Sequence, residues 1–317
     1  MASFEEALFS LQAAHFEEAK TAFGTLLEID PDNTEYMAGF YASGYWANRK
    51  DQLTTLEPVR PGTGLMEAWD NFQDLAEDKG FASTKSIRAV MKAVLGRAAE
   101  QYRQKFQKEG MAHPDFSDLE ELGKCLIRIH EFGNAREILQ YAKRIQPGRS
   151  GIHFLLAESY LNDGESDAAE RGLGFYRDGF IIQPAQFDAG YAYSSVVQDT
   201  LQQLGEEKDN DLDRILLWLP AYLMARSQYS GLRRLNRDEV SQLQRETHRL
   251  EKDLDTVMDH FREKVQARLA FYYLVLHQAA IFVYDDLDYA KELLNDLKTL
   301  HPGLAQLVKE ALQKKQK

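Results

Sequence analysis

The sequence predicts an all-α protein, and three observations lead there. Apolar residues recur at steps of three and four along most of the chain, the stripe of an amphipathic helix. Prolines are few, eight in 317 residues. Pro31, Pro147, Pro184 and Pro302 close such stripes rather than interrupt them, because proline cannot continue a helix and disfavours helical geometry in the residue before it. Residues 237–280 contain neither glycine nor proline and keep the helical spacing through Val240, Leu243, Leu250, Leu254, Val257, Met258 and Phe261.

The clearest stretch is 116–184. Leu119, Leu122 and Leu126 form one stripe, and Phe132, Ala135, Leu139 and Ala142 form a second. Phe132-Gly133-Asn134 predicts the turn between them, and Pro147 closes the pair. The unit is one helix–turn–helix of about 34 residues. Leu122, Gly123, Phe132, Ala135, Leu139, Ala142 and Pro147 stand where the tetratricopeptide repeat expects such residues, and the segment resembles that family. Gly123 and Ala135 are small enough to let two helices approach closely. The next pair has Leu156, Ala157 and Tyr160, then Ala168, Ala169, Tyr176 and Phe180, closed by Pro184; Gly172, Gly174 and Gly179 are expected to loosen or kink its second helix.

The same pattern opens the chain, with Phe4, Ala7, Leu8 and Leu11, then Phe16, Ala19, Phe23, Leu26 and Leu27, ending at Asp30-Pro31. It returns near the end with Leu287, Ala290, Leu294, Leu297 and Pro302. The resemblance thus covers about 1–31, 116–147, 150–184 and 271–302. It implies a right-handed α-solenoid of tetratricopeptide-like helix pairs, since one pair cannot bury its own apolar face and must stack on neighbours. Off-pattern helical insertions interrupt it, and Leu304, Leu307, Val308 and Leu312 supply a C-terminal capping helix with a polar tail, Lys314-Lys315-Gln316-Lys317. The expected organisation is 1–48, 49–115, 116–204, 205–268 and 269–317.

Between the pairs, 33–48 is an aromatic-rich helix and 57–64 a loop, from its prolines and glycines. A helix follows over 65–76, then one from Ser83 or Thr84 to near Gly110, with a break at His113-Pro114. Residues 187–204 read as one helix. Asp209, Asp211 and Asp213 are spaced like a calcium loop, but Arg214 stands where a glycine is required and Pro220 where the bidentate glutamate belongs, so the segment reads as a loop capping the next helix. That helix, through Ile215 to Leu223, is expected to kink at Pro220. The 237–268 helix is long and heavily charged, broken or continuous into 269–284.

A net charge of −12 argues against a general nucleic-acid binder, which needs a basic face. The single cysteine, Cys125, permits no intrachain disulfide and reads as a packed thiol. The first residues are acidic where a signal peptide is basic, and the most apolar run, 272–284, is too short to span a bilayer. A cytoplasmic protein without a membrane span is expected. The eight histidines form no zinc helix, the glycines match no dinucleotide fingerprint, and no phosphate loop or nucleophile elbow occurs. No catalytic, cofactor or metal site is predicted.

What remains is surface. The resemblance implies a concave groove lined by the first helix of each pair, and places Glu120, Lys124, Ile127, Phe154, Glu158, Leu161, Tyr191 and Ser195 there. Glu120, Phe154, Glu158 and Leu161 stand where chaperone-binding members carry a basic clamp, which argues against that subclass. The expected function is a non-catalytic scaffold or adaptor in a larger assembly, binding a helix or extended segment of a partner protein. Packing of the same side chains within the chain is the equal alternative. Two other functions fit: a self-assembling subunit joined through the 237–268 helix, and a carrier of a small apolar ligand among Tyr36, Phe40, Tyr45, Trp46, Trp69 and Tyr193.

Overall fold

The structure, a computed structural model, describes residues 3–55, 60–109, 116–162, 168–226 and 233–315. It is all-helical, with no β-strand among the described residues. Residues 57–59 of the predicted loop, the predicted break at His113-Pro114, and the end of the tail at 316–317 lie outside the described residues. The chain divides into two compact units, Met1–Ala142 and Lys143–Lys317.

The first unit contains α1 (Phe4–Gln12), α2 (Phe16–Ile29), α3 (Thr34–Ala47), the short α4 (Lys50–Thr54), α5 (Thr63–Asp78), α6 (Lys85–Glu109), α7 (Phe116–Arg128) and most of α8 (Phe132–Ile145). A capping box starts α1: the Glu6 N–H donates to Ser3 Oγ at 3.2 Å, and the Ser3 N–H donates to the Glu6 carboxylate at 2.8 Å. Glu35, in the first turn of α3, does the same for a distant helix. Its carboxylate accepts the Lys85 and Ser86 N–H groups at 3.0 and 3.2 Å, placing an acid at the positive end of α6. The 25-residue α6 packs on α1 and α3 as well as on α5 and α7.

The aromatic side chains suggested for an apolar cavity in this unit are occupied with packing. Trp46 and Trp69 are buried against Phe72 at ring centroids of 5.7 and 5.5 Å, and Tyr45 meets the same ring at 4.8 Å. Tyr36 packs on Phe4, Phe40 is partly exposed under Lys20, and Tyr193 belongs to the other unit.

The turn between α7 and α8 comes earlier than predicted. Phe132-Gly133-Asn134 is the first turn of α8. The chain reverses at Ile129–Glu131, where His130 takes a left-handed conformation (φ 64°) and the Glu131 N–H reaches back to the Leu126 carbonyl at 2.8 Å. This is a helix-ending motif usually served by glycine, which is why sequence placed the turn at the nearby Gly133. Gly123 does allow close approach: a Cβ there would lie 2.5 Å from Leu139. Cys125 is buried, and burial pushes its thiol up to about 12, so it stays un-ionised and unreactive.

The second unit contains α9 (Ser150–Leu161), α10 (Ala168–Ile182), α11 (Ser195–Glu207), α12 (Leu212–Arg226), α13 (Arg237–Thr256), α14 (Asp259–Ala279), α15 (Leu287–Leu300) and α16 (Pro302–Lys315). Its centre is α14. Every residue from Leu269 to Ala280 is buried, and α12, α13 and α15 pack around it. A helix apolar on all sides has to be enclosed in this way. A π-helical turn, Ala280–Tyr284, continues it, and Asp285 (φ 54°) ends it. The stretch Asp259–Tyr284 is long and apolar enough by length and composition to cross a membrane, but 72% of its apolar window is buried inside the unit, as in a core helix.

Three expectations are corrected here. The glycines of α10 do not interrupt it. A Cβ at Gly172 would meet Leu161 at 2.6 Å and the Ala157 carbonyl at 2.9 Å, and one at Gly179 would meet Phe154 at 2.6 Å, so both glycines make room for α9. The helix expected over 187–204 begins only at Ser195; single 3-10 turns at Pro184–Gln186 and Ala189–Tyr191 precede it. The 237–280 run breaks without glycine or proline at Val257 and Met258, both extended, and α13 and α14 turn back to pack on one another.

Burial of His277 within α14 lowers its pKa to about 4 from 6.5. The unfolded chain therefore binds the extra proton between those values, and stability falls as the pH drops through that window. His277 by itself is expected to contribute a loss of about 2 kcal/mol between pH 7 and pH 5. Urea midpoints measured at the two pH values check this. His277→Gln should shrink the difference by about that amount while His130, His153 and His301, also lowered by burial, keep their own share, and an unchanged difference in that variant would refute the assignment.

Candidate functional site

Most of the residues predicted to line one groove are buried or half-buried within their own unit. In the first unit Ile127 is buried, Glu120 is half-buried, and Lys124 is half-buried in an ion pair with Glu121 at 2.8 Å. In the second unit Phe154 and Glu158 are buried, Leu161 and Tyr191 are half-buried, and Ser195 alone is exposed. Phe154 packs against Phe180, Phe187 and Tyr176 at ring centroids of 4.8, 5.4 and 5.9 Å. These are core contacts between α9, α10 and the segment that follows α10.

Glu158 explains why that segment is not helical. Its Oε2 accepts the Tyr193 and Ser194 backbone N–H groups at 2.7 and 2.8 Å and the Asn162 side-chain amide at 3.1 Å. Its Oε1 accepts the Ser194 hydroxyl at 2.7 Å and the Tyr176 hydroxyl. Five donors thus converge on one buried carboxyl group and hold Tyr193–Ser194 extended just before α11 starts. A polar residue in a buried helix position must be satisfied in this way.

A cavity of about 360 Å³ lies beside this core, bounded by α9, α10, α13 and the 233–236 segment. Asp178, on α10, forms one wall and is held by two arginines. Arg177 donates from Nε and Nη2 to Asp178 Oδ1 at 3.1 and 3.0 Å, and Arg233 donates from Nε to Oδ2 at 2.8 Å. Burial alone would raise the Asp178 pKa; the two guanidinium groups overcome it and hold the carboxylate ionised. Arg177, also buried, donates to the Arg233 carbonyl at 2.8 Å. Arg233 reaches on to both oxygens of Glu239 at 3.1 and 2.9 Å, and Glu239 closes a capping box with Asn236 at the start of α13. The network ties α10 to α13. Ion pairs of this kind seldom add net stability, so they are better read as fixing geometry.

His153, on α9, lines the same cavity and is 4% exposed. Its Nε2 lies 3.0 Å from the Pro147 carbonyl, and its buried Nδ1 has no hydrogen-bond partner. Burial pushes its pKa down, and Lys143 and Arg233 push the same way, against the Pro147 carbonyl and Asp178. The ring is neutral at pH 7. Sequence missed this cluster because its members come from separate segments spread between 143 and 272. Its one readable signal was Asn236 followed three residues later by Glu239, a capping-box spacing. Comparison with known protein families, with curated proteins and with solved structures finds no match to this chain.

Proposed function

We propose that the chain is a non-catalytic scaffold of tetratricopeptide-like helix pairs that binds a partner protein. The observation that carries this is the α9–α10 pair, where Gly172 and Gly179 accept Ala157, Leu161 and Phe154 at close range, the interleaving of small and large residues that a stacked helix pair requires. The engagement of the larger charged clusters in structural roles also supports it: five donors bind Glu158, and Arg214, Trp218 and Lys208 converge on Glu263. The inference from helix pairs to a binding role is by analogy of fold.

Of the positions predicted to contact a partner, Ser195 at the start of α11 is exposed, and its neighbour Val196, not among those positions, is an exposed apolar side chain. Replacing both by glutamate places acids at a helix N-terminus, where they do not destabilise the helix. Affinity purification under native conditions, comparing wild type with Ser195→Glu/Val196→Glu, is expected to lose a specific protein while the thermal midpoint stays within about 2 °C. An unchanged set of recovered proteins would remove this surface from the reading.

A further inference from the structure

Gly96 stands where a helix disfavours it and where packing does not ask for it. Glycine is a poor residue for a helix interior, and Gly96 lies well inside the 25-residue α6. Gly123, Gly172 and Gly179 make room for neighbouring side chains, but a Cβ at Gly96 would stand in open space, with nothing outside its own stretch of helix within 4 Å. That space is part of a cavity of about 340 Å³ in the first unit, bounded by the end of α1, the start of α2, α4 and α6. A glycine facing such a space suits the close approach of a ligand to the backbone.

The next residue, Arg97, lines the same cavity and is half-buried. Its Nε donates to the Leu53 carbonyl at 2.8 Å, which holds the guanidinium in place. Nη1 and Nη2 have no hydrogen-bond or ion-pair partner among the described residues, and neither is a buried unsatisfied atom, so both keep accessible surface. Lys50, on α4, is exposed at the rim and has no acidic partner among the described residues either. Glu100, the acid in the lining, accepts the Gln104 side-chain amide at 3.0 Å instead of pairing with Arg97.

We propose that this cavity binds a small monocarboxylate, the carboxylate on Arg97 Nη1 and Nη2 and the apolar body over Gly96 against Phe16 and Leu53. With Nε occupied, the guanidinium still offers its two end-on N–H donors, a pair that fits the two oxygens of a carboxylate. A single negative charge follows from the lining. Lys50 and Arg97 against Glu100 leave one positive charge to match, and a dianion would bring its second charge towards Glu100. Phe16 and Leu53 are buried and give the wall its apolar character. Gln12, Lys50 and Thr54 are exposed around the cavity, which leaves a molecule a way in. The site does not rest on the scaffold reading.

Isothermal titration calorimetry of the full-length protein with benzoate, hexanoate, benzamide and phenyl phosphate separates the contributions. At least one of the two acids is expected to bind saturably with a Kd of about 1 mM or below. Benzamide and phenyl phosphate should bind at least about tenfold more weakly than benzoate, and Arg97→Gln should weaken the acids by about the same factor. Gly96→Leu puts a better helix former in α6 and a side chain where the ligand would lie. It should abolish binding with a thermal midpoint at or above that of wild type. Should Arg97→Gln fail to fold, Gly96→Leu decides. No saturable binding of either acid, equal affinity for benzoate and benzamide, phenyl phosphate binding more tightly than benzoate, or acid binding unchanged in a folded variant would overturn the proposal. N-acetyl-phenylalanine then separates two sources of the carboxylate: its binding alongside the acids points to the end of a peptide chain, and binding of the simple acids alone to a free small molecule.

Discussion

Glu158→Ala is expected to destabilise the second unit by about 4 kcal/mol, several donors losing their acceptor at roughly 1–3 kcal/mol each with water relieving part of the loss. Two of them are backbone N–H groups, at Tyr193 and Ser194, which cannot turn away. Glu158→Gln separates the contributions. Its amide oxygen can replace Oε2 before those two N–H groups, and its NH₂ can replace Oε1 because the Tyr176 and Ser194 hydroxyls can rotate to accept. That variant should lose only about 1–2 kcal/mol. Urea unfolding followed by far-UV circular dichroism measures both. A Glu158→Ala midpoint indistinguishable from wild type would mean that Tyr193–Ser194 is held by something else.

Gly62→Ala should be comparably damaging in the first unit, for an unrelated reason. Gly62 precedes α5 with φ 76° and ψ −49°, a region that costs a residue with a Cβ about 1–3 kcal/mol. A Cβ there would also fall 2.2 Å from the ring of Tyr102. That ring is fully buried, and its hydroxyl lies 3.2 Å from Thr63 Oγ1, so it has little freedom to retreat. Overpacking adds another 1–3 kcal/mol, for a total of roughly 4. A double-mutant cycle with Tyr102→Ala tests the mechanism, because removing the ring should relieve the steric part and make the two losses less than additive. Strict additivity would show that the clash is not the cause.

The contrast between these two positions marks what sequence could reveal. Helix existence was legible wherever an apolar stripe ran between good punctuation: α2 ends at Asp30, α3 starts after Asn33, and α8 carries its stripe through Ala135, Leu139 and Ala142. Boundaries set by long-range contacts were not. Nothing local distinguishes Tyr193–Ser194 from a helix start two turns earlier; the deciding acceptor, Glu158, lies 35 residues upstream. Val257–Met258 is likewise extended within a run that has strong helical spacing, because α13 and α14 pack on one another. The groove residues were chosen by position in a repeat, and position does not report burial. Phe154 and Ile127 went inside because small residues or neighbouring helices gave them room there. The cavity at His153 was invisible for the same reason, being assembled by tertiary contacts among residues individually unremarkable in sequence.

The reach of α6 back to α1 and α3 also bears on how the chain is made. In a stack of nearest neighbours, each helix pair is covered as soon as the next one is synthesised. Here α1, α2 and α3 are complete by Ala47, yet the helix that covers two of them ends only at Glu109. At synthesis rates of about 5–20 residues per second, the apolar faces of α1 and α3 wait on the order of several seconds for their partner. During that interval the nascent chain presents an open hydrophobic surface, so the order of synthesis, and not only the final packing, sets how long these faces meet water.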